Sequence, residues 1–120
     1  MYVKDENIIV DKIFAFAVRI VNLYNYLTTE KKEFVMSKQL LRSGTSIGAN
    51  IREGVNGQTK PDFITKLSIS LKEANETDYW IDLLAATNYL KEKEQISIKN
   101  DCIELIKLLI TIIKSAKENL

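Results

Sequence analysis

Along almost the whole chain, apolar residues recur at intervals of three and four, and this pattern constrains the fold more than any other feature. Ile9, Ile13, Phe16, Ile20, Leu23 and Leu27 step 4-3-4-3-4, and Ile98, Cys102, Leu105, Leu109, Ile112 and Ala116 repeat those steps near the other end. Residues three and four apart are neighbours on an α-helix, so each row lies on one helix face. No segment alternates with a period of two for long. The chain reads as four helices, over about 6–28, 31–56, 61–92 and 97–118.

The breaks between them are short. Thr28-Thr29-Glu30 ends the first pattern, and Lys91-Glu92-Lys93-Glu94 reads as a solvated turn before the last. Between the second and third helices stands Asn56-Gly57-Gln58-Thr59, followed two residues on by Pro61, the one proline. Glycine suits a helix end, threonine an N-cap, and proline the first helical turn. Short connections make successive helices antiparallel neighbours. The expected fold is all-α: an antiparallel up-down-up-down four-helix bundle, with residues 1–120 forming a single domain.

The apolar arcs are wider than such a bundle must bury. Val10, Phe14, Ala17, Val21 and Tyr24 form a second row on the first helix, for an arc of about 180° at 100° per residue. Ile103, Ile106, Ile110 and Ile113, with Leu108, widen the last helix to about 200° by the same arithmetic. Apolar surface in excess of one core marks a partner interface, and a homo-oligomer is expected on that ground. The third helix has a narrower inward row of Ile64, Leu67, Leu71, Ala74, Ile81 and Leu84, with Asp78 falling in it where an apolar residue is expected.

Residues 40–54, LLRSGTSIGANIREG, are the exception to good helix chemistry. They hold three of the four glycines and two of the three arginines. Leu40, Leu41, Ile47, Ile51 and Val55 keep helical spacing, yet Gly44 and Gly48 sit among small residues, at roughly 0.5–1 kcal/mol per glycine against alanine. Close packing of a neighbouring helix on Gly44 and Gly48 offsets that loss. A phosphate loop is the weaker reading, because the Gly-Lys-Ser/Thr ending and a preceding strand are both missing.

Composition excludes several function classes. There are no histidines, which removes Ser-His and Cys-His catalysis and most zinc or di-iron sites. Net charge is +1, so bulk attraction to nucleic acid or membrane is absent. The single cysteine, Cys102, forms no internal disulfide, suits a reducing compartment, and has the spacing of a core residue. No basic-plus-apolar leader opens the chain and no uncharged apolar run reaches membrane length, so a cytoplasmic protein with no membrane contact is expected.

Lysine outnumbers arginine fourteen to three, which marks each arginine for specific work. If the second and third helices are antiparallel about a loop near residues 57–60, Arg42 faces Glu73 and Glu76. Its planar fork suits two carboxylates, and a partly buried inter-helix ion pair is expected. Ser46 and Asn50 lie one turn apart and join the same inter-helix polar network. Glu73, Glu76 and Asp78 form a weaker candidate for a divalent-ion site, since di-iron bundles pair glutamate with histidine. No catalytic residue, metal site or cofactor is assigned. Lys31, Lys32, Lys38, Lys60 and Lys66 are the candidate nucleic-acid contacts, as a phosphate-binding rim gathered from several copies.

Two linked segments carry a family resemblance. LRSGTSIGANIREG at 41–54 supplies Arg42, Ser43, Ser46, Ile47, Ala49, Asn50, Ile51, Glu53 and Gly54; LSISLKEANETDYWIDLL at 67–84 supplies Glu73, Glu76, Thr77 and Trp80. With these the chain resembles the small four-helix-bundle proteins encoded by intervening sequences within bacterial 23S rRNA genes; Ile81 stands where leucine is usual. The resemblance implies a closed antiparallel bundle, a homopentamer and no enzymatic activity. The accessory protein of diversity-generating retroelements looks related; it is a basic pentamer that binds nucleic acid and a reverse transcriptase. This chain lacks that basicity. The expected role is therefore a homo-oligomeric scaffold for a macromolecule, ribosomal RNA or a ribonucleoprotein, with a protein-interaction module free of nucleic acid as the alternative.

Overall fold

Each run of three-and-four spacing is a helix in the computed structural model, which describes residues 3–119. The helices are α1 (Val3–Thr29), α2 (Met36–Val55), α3 (Lys60–Ala86) and α4 (Glu92–Glu118), and no strand occurs among the described residues. The molecule measures 46 × 21 × 19 Å. Helix α1 packs against α2 and α4, and α3 packs against the same two, with the diagonal pairs farther apart.

The first predicted row of α1 is the buried one. Ile9, Ile13, Phe16, Ile20 and Leu27 join the core, whereas Val10, Phe14 and Val21 of the second row are exposed, Phe14 to 71%. On α4, Ile98, Cys102, Leu105, Leu109, Ile112 and Ala116 are all buried; of the second row Ile113 is buried and Ile110 exposed.

The largest departure from expectation is the start of α2, at Met36 rather than near 31. Lys32 takes a positive φ of 54° and turns the chain. Glu33 then donates its N–H to Leu27 O at 2.9 Å, and its carboxylate accepts from the backbone N–H groups of Val35, Met36 and Ser37 at 3.1, 3.0 and 2.7 Å. Helix N-termini leave such donors without partners, and Glu33 supplies three of them from outside the helix. The boundary of α3 also moves, to Ala86 from about 92. Asn88 adopts φ 71°, Asn88 N–H donates to Ala85 O at 3.1 Å and Tyr89 N–H to Leu84 O at 2.9 Å, the paired bonds of a Schellman ending. Buried Leu90 closes that turn. Glu92 and Glu94 consequently lie in the first turn of α4, not in a loop. At the start of α3 the predicted signals act as expected: Thr59 Oγ1 accepts from Asp62 N–H at 3.2 Å, with Pro61 in the first turn.

Thr77, not Asp78, completes the inward row of α3. Its side chain is fully buried, and its hydroxyl sits 3.0 Å from Ser43 Oγ on α2 and donates to Glu73 O at 2.8 Å. A hydrogen-bonded threonine occupies a core position at little loss. Asp78 points instead toward α4, where Lys99 Nζ lies 2.7 Å away.

Candidate functional site

The seam between α2 and α3 gathers most of the polar residues singled out by the sequence. Arg42 Nη1 donates to Glu73 Oε2 at 3.1 Å, Nη2 contacts Glu76 Oε2, and Nε donates to Gln39 Oε1 at 3.2 Å. Trp80 Nε1 donates to the same Glu76 oxygen at 3.0 Å. Deeper in the seam, Ser70 Oγ donates to Ile47 O at 2.8 Å. The Arg42 side chain is 47% exposed, while the Glu73 and Glu76 side chains it meets are 14% and 32% exposed, so the ion pair is partly buried on its acidic side and open to water on the guanidinium side. A pair with so exposed a cation is worth about 0–1 kcal/mol. Ser46 and Asn50 do not join the inter-helix network: Ser46 Oγ donates to Arg42 O and Asn50 Nδ2 to Ser46 O, both within α2.

The close-packing glycines face α1 rather than α3. A Cβ on Gly44 would lie 2.8 Å from Ile20 Cγ2, so the two helices approach there as only glycine permits. Gly48 is different, since a Cβ would meet Ile13 Cδ1 at an ordinary 3.7 Å. The glycine that abuts α3 is Gly54, against Leu67.

The carboxylates considered for a metal are held by different cations. Glu73 and Glu76 meet Arg42, while Lys99 Nζ lies 2.7 Å from Asp78 and 2.8 Å from Asp82. Among the described residues no group of three or more potential ligands is placed to hold a metal ion. Lys99 donating to Asp82 holds that carboxyl below its usual range, against the opposing effect of burial. Burial works to lower Lys99, but the two aspartates outweigh it and its ammonium titrates above the usual lysine range. The α1–α4 seam has its own polar links, Arg19 to Asp101 at 2.6 Å and Lys12 to Glu104 at 3.0 Å. Cys102 is fully buried, donates to Ala74 O at 3.3 Å, and burial pushes its thiol up to about 12, with Asp78 adding to the shift.

The five candidate lysines do not share one patch. Lys31, Lys32 and Lys38 flank the α1–α2 turn, and Lys60 and Lys66 open α3. Helix α2 separates the two groups by about 30 Å at 1.5 Å per residue. Lys66 lies 2.9 Å from Glu53, and Lys60 Nζ donates to Asn119 O at 3.3 Å.

Two concavities were not foreseen. A polar hollow of about 640 Å³ lies where the end of α1 meets the α3–α4 turn, lined by Tyr26, Lys31, Asn88, Tyr89, Lys91 and Gln95 among others. An apolar groove of about 330 Å³ runs between α1 and α2, with Val10 and Phe14 on one side and Gly48, Ala49 and Val55 on the other. The groove's signal was present as the second apolar row of α1. The hollow's signal was weaker: tyrosines and lysines just beside two helix ends. No helix among the described residues is long and apolar enough to cross a membrane.

Comparison with known proteins agrees with the segments quoted from α2 and α3. The family model described as 23S rRNA-intervening sequence protein matches residues 5–111. Among solved structures, a protein of unknown function from the S23 ribosomal protein family of Bacteroides thetaiotaomicron VPI-5482 is 61% identical, with a TM-score of 0.91, covering 92% of this chain and 98% of that one. None of the curated proteins compared matches the chain.

Proposed function

The chain belongs to the 23S rRNA-intervening sequence protein family, and from that premise we propose that it is a non-catalytic, homo-oligomeric bundle whose assembled surface binds ribosomal RNA or a ribonucleoprotein in the cytoplasm. The observation that carries the reading is the outward row on α1. Val10, Phe14, Val18 and Val21 are exposed to 37%, 71%, 45% and 40%, and the apolar groove against α2 continues the same surface. A second copy seated there buries them.

The protomer in this reading is an up-down-up-down antiparallel bundle. Partner numbers support it, falling on one helix as they rise on the other: Ser43 meets Thr77 and Ile47 meets Ser70 across α2 and α3, while Asp82 meets Gln95 and Ala74 meets Cys102 across α3 and α4. Five copies is the number that the family resemblance implies. A contact between different surfaces of successive copies closes a ring when the rotation allows, and the exposed Ile110 on α4 offers a second apolar surface away from the α1–α2 groove.

Analytical ultracentrifugation tests the assembly. The wild-type protein is expected to sediment as a pentamer and the Phe14→Glu variant as a monomer; a monodisperse wild-type monomer overturns the oligomer. Filter binding of structured ribosomal RNA tests the ligand. Affinity is expected at about 50 mM salt and to fall linearly on a log–log plot as salt rises. Without binding at that salt, the RNA half of the reading falls, and a partner that survives nuclease treatment in a pull-down points to the protein-interaction module.

A further inference from the structure

We propose that the polar hollow between α1 and the α3–α4 turn takes one unpaired nucleotide of a single-stranded RNA, its base against Tyr26 or Tyr89 and its phosphate between Lys31 and Lys91. This rests on the RNA reading above and gives it a location.

The hollow has the chemistry a nucleotide requires. Its volume of about 640 Å³ falls in the range of small-molecule sites. Tyr26 comes from α1 and Tyr89 from the Schellman turn, and both rest partly on the core. Neither hydroxyl makes a hydrogen bond among the described residues, so each tyrosine brings to the hollow a polar edge without a protein partner. Sequence-tolerant stacking on aromatic rings, combined with cations along the backbone, is how single strands are held.

The two lysines of the lining, Lys31 and Lys91, form no ion pair among the described residues. Lys31 Nζ lies 6.0 Å from the centre of the Tyr26 ring. Lys32, Lys38 and Lys93 likewise join no ion pair among the described residues. Of the acids nearby, Asp82 in the lining is held by Lys99 and Gln95, Glu94 accepts from the Lys91 N–H and Glu33 from three backbone N–H groups, while Glu30 beside Lys31 forms no ion pair among the described residues. Glu92 is the one carboxylate of the lining left open. A duplex presents no free base to the rings, so the site selects an unpaired nucleotide.

A second observation is independent of the charge. Lys32 and Asn88 are the two non-glycine residues with positive φ among the described residues, and they stand in the two loops that border this hollow. At Asn88 the left-handed conformation is the one that ends α3, which asparagine adopts more readily than other non-glycine residues. Asn88 lines the hollow with an amide that makes no side-chain hydrogen bond, which suits the edge of a base.

Fluorescence anisotropy with a labelled unstructured RNA ten nucleotides long (about the reach of one OB-fold site) tests the assignment, beside a hairpin duplex and uridine monophosphate. Tyr26→Leu and Tyr89→Leu, which keep the apolar body of the side chain, are each expected to weaken binding of the single strand about 5- to 100-fold. Lys91→Gln is expected to flatten the salt dependence by about one phosphate contact. Tyr79→Leu, on the exposed side of α3, is the control and is expected to leave affinity unchanged. Ultraviolet crosslinking of wild-type protein, read by mass spectrometry, is expected to mark Tyr26 or Tyr89. Wild-type binding that is indifferent to both tyrosine variants, equal binding of the duplex, or crosslinks confined to other residues overturns the site while leaving RNA binding in place. Saturable binding of uridine monophosphate, lost in the tyrosine variants, supports it. Failure of the wild-type protein to bind RNA of any kind removes both the site and the reading beneath it.

Discussion

Glu33 supplies the N-terminus of α2 with partners that its first turn lacks. Val35, the cap residue, makes no side-chain bond there, and the Glu33 carboxylate takes three backbone N–H groups while its own backbone carbonyl accepts from Ser37 Oγ at 2.7 Å. Glu33→Ala is expected to cost about 1–3 kcal/mol, the loss of a cap together with buried donors left unpaired, read as a lower urea midpoint. An unchanged midpoint removes the role. The same bonds set a pH dependence. Burial alone raises the carboxyl, but the N–H groups of Met36, Ser37 and Val35 outweigh it, so its pKa is depressed from the usual 4.5. A depressed carboxyl contributes stability that is complete above its unfolded pKa and is lost as pH falls through the folded one. The wild-type advantage over Glu33→Gln should therefore hold at neutral pH and shrink below about 4.5. Arg42 shows the contrasting case: a doubly paired guanidinium that half faces water, whose geometry fixes register more than it adds stability.

At the scale of the elements, α1 and α2 meet closely at Gly44, and the other adjacent pairs carry ion pairs between them. Gly44→Ala drives a methyl into the Ile20 side chain at 2.8 Å. Ile20 is fully buried, so relief by rotation is blocked, and overpacking of this kind costs about 1–3 kcal/mol. Gly48→Ala meets Ile13 at 3.7 Å and is expected to raise stability by about 0.5–1 kcal/mol through helix propensity alone. Opposite signs in thermal melts of the two variants check the assignment; equal effects refute it. The helices themselves were legible because burial follows their three-and-four spacing, and Arg42 opposite Glu73 and Glu76 was legible because a short α2–α3 loop fixes which numbers face one another. What was not legible depends on contacts distant in sequence. Glu33 reads as a helix residue until its carboxylate meets the backbone ahead of it. Tyr89 and Leu90 read as a continuation of α3 until Asn88 turns left-handed. Asp78 reads as the inward residue of α3 until Thr77 takes that place beside Ser43 of α2. The lysines look like one set in the sequence, and α2 places them at opposite ends.

For the whole molecule, the proposed assembly links stability to concentration. If Phe14 and its neighbours are covered only by another copy, unfolding releases protomers and the melting temperature rises with protein concentration. A midpoint independent of concentration over a hundredfold range (about 2.7 kcal/mol of mass action) contradicts it. The four helices otherwise form one continuous core, from Ile9 on α1 to Ala116 on α4. Cys102 lies within that core, between α3 and α4, as the chain's one thiol. While the helices stay together, the sulfur is both inaccessible and held protonated. Once they part, it becomes an ordinary cysteine, reactive near neutral pH. The protein thus carries its own clock for opening: the rate at which a maleimide reaches position 102 counts how often α4 leaves α3, with no engineered label anywhere in the chain.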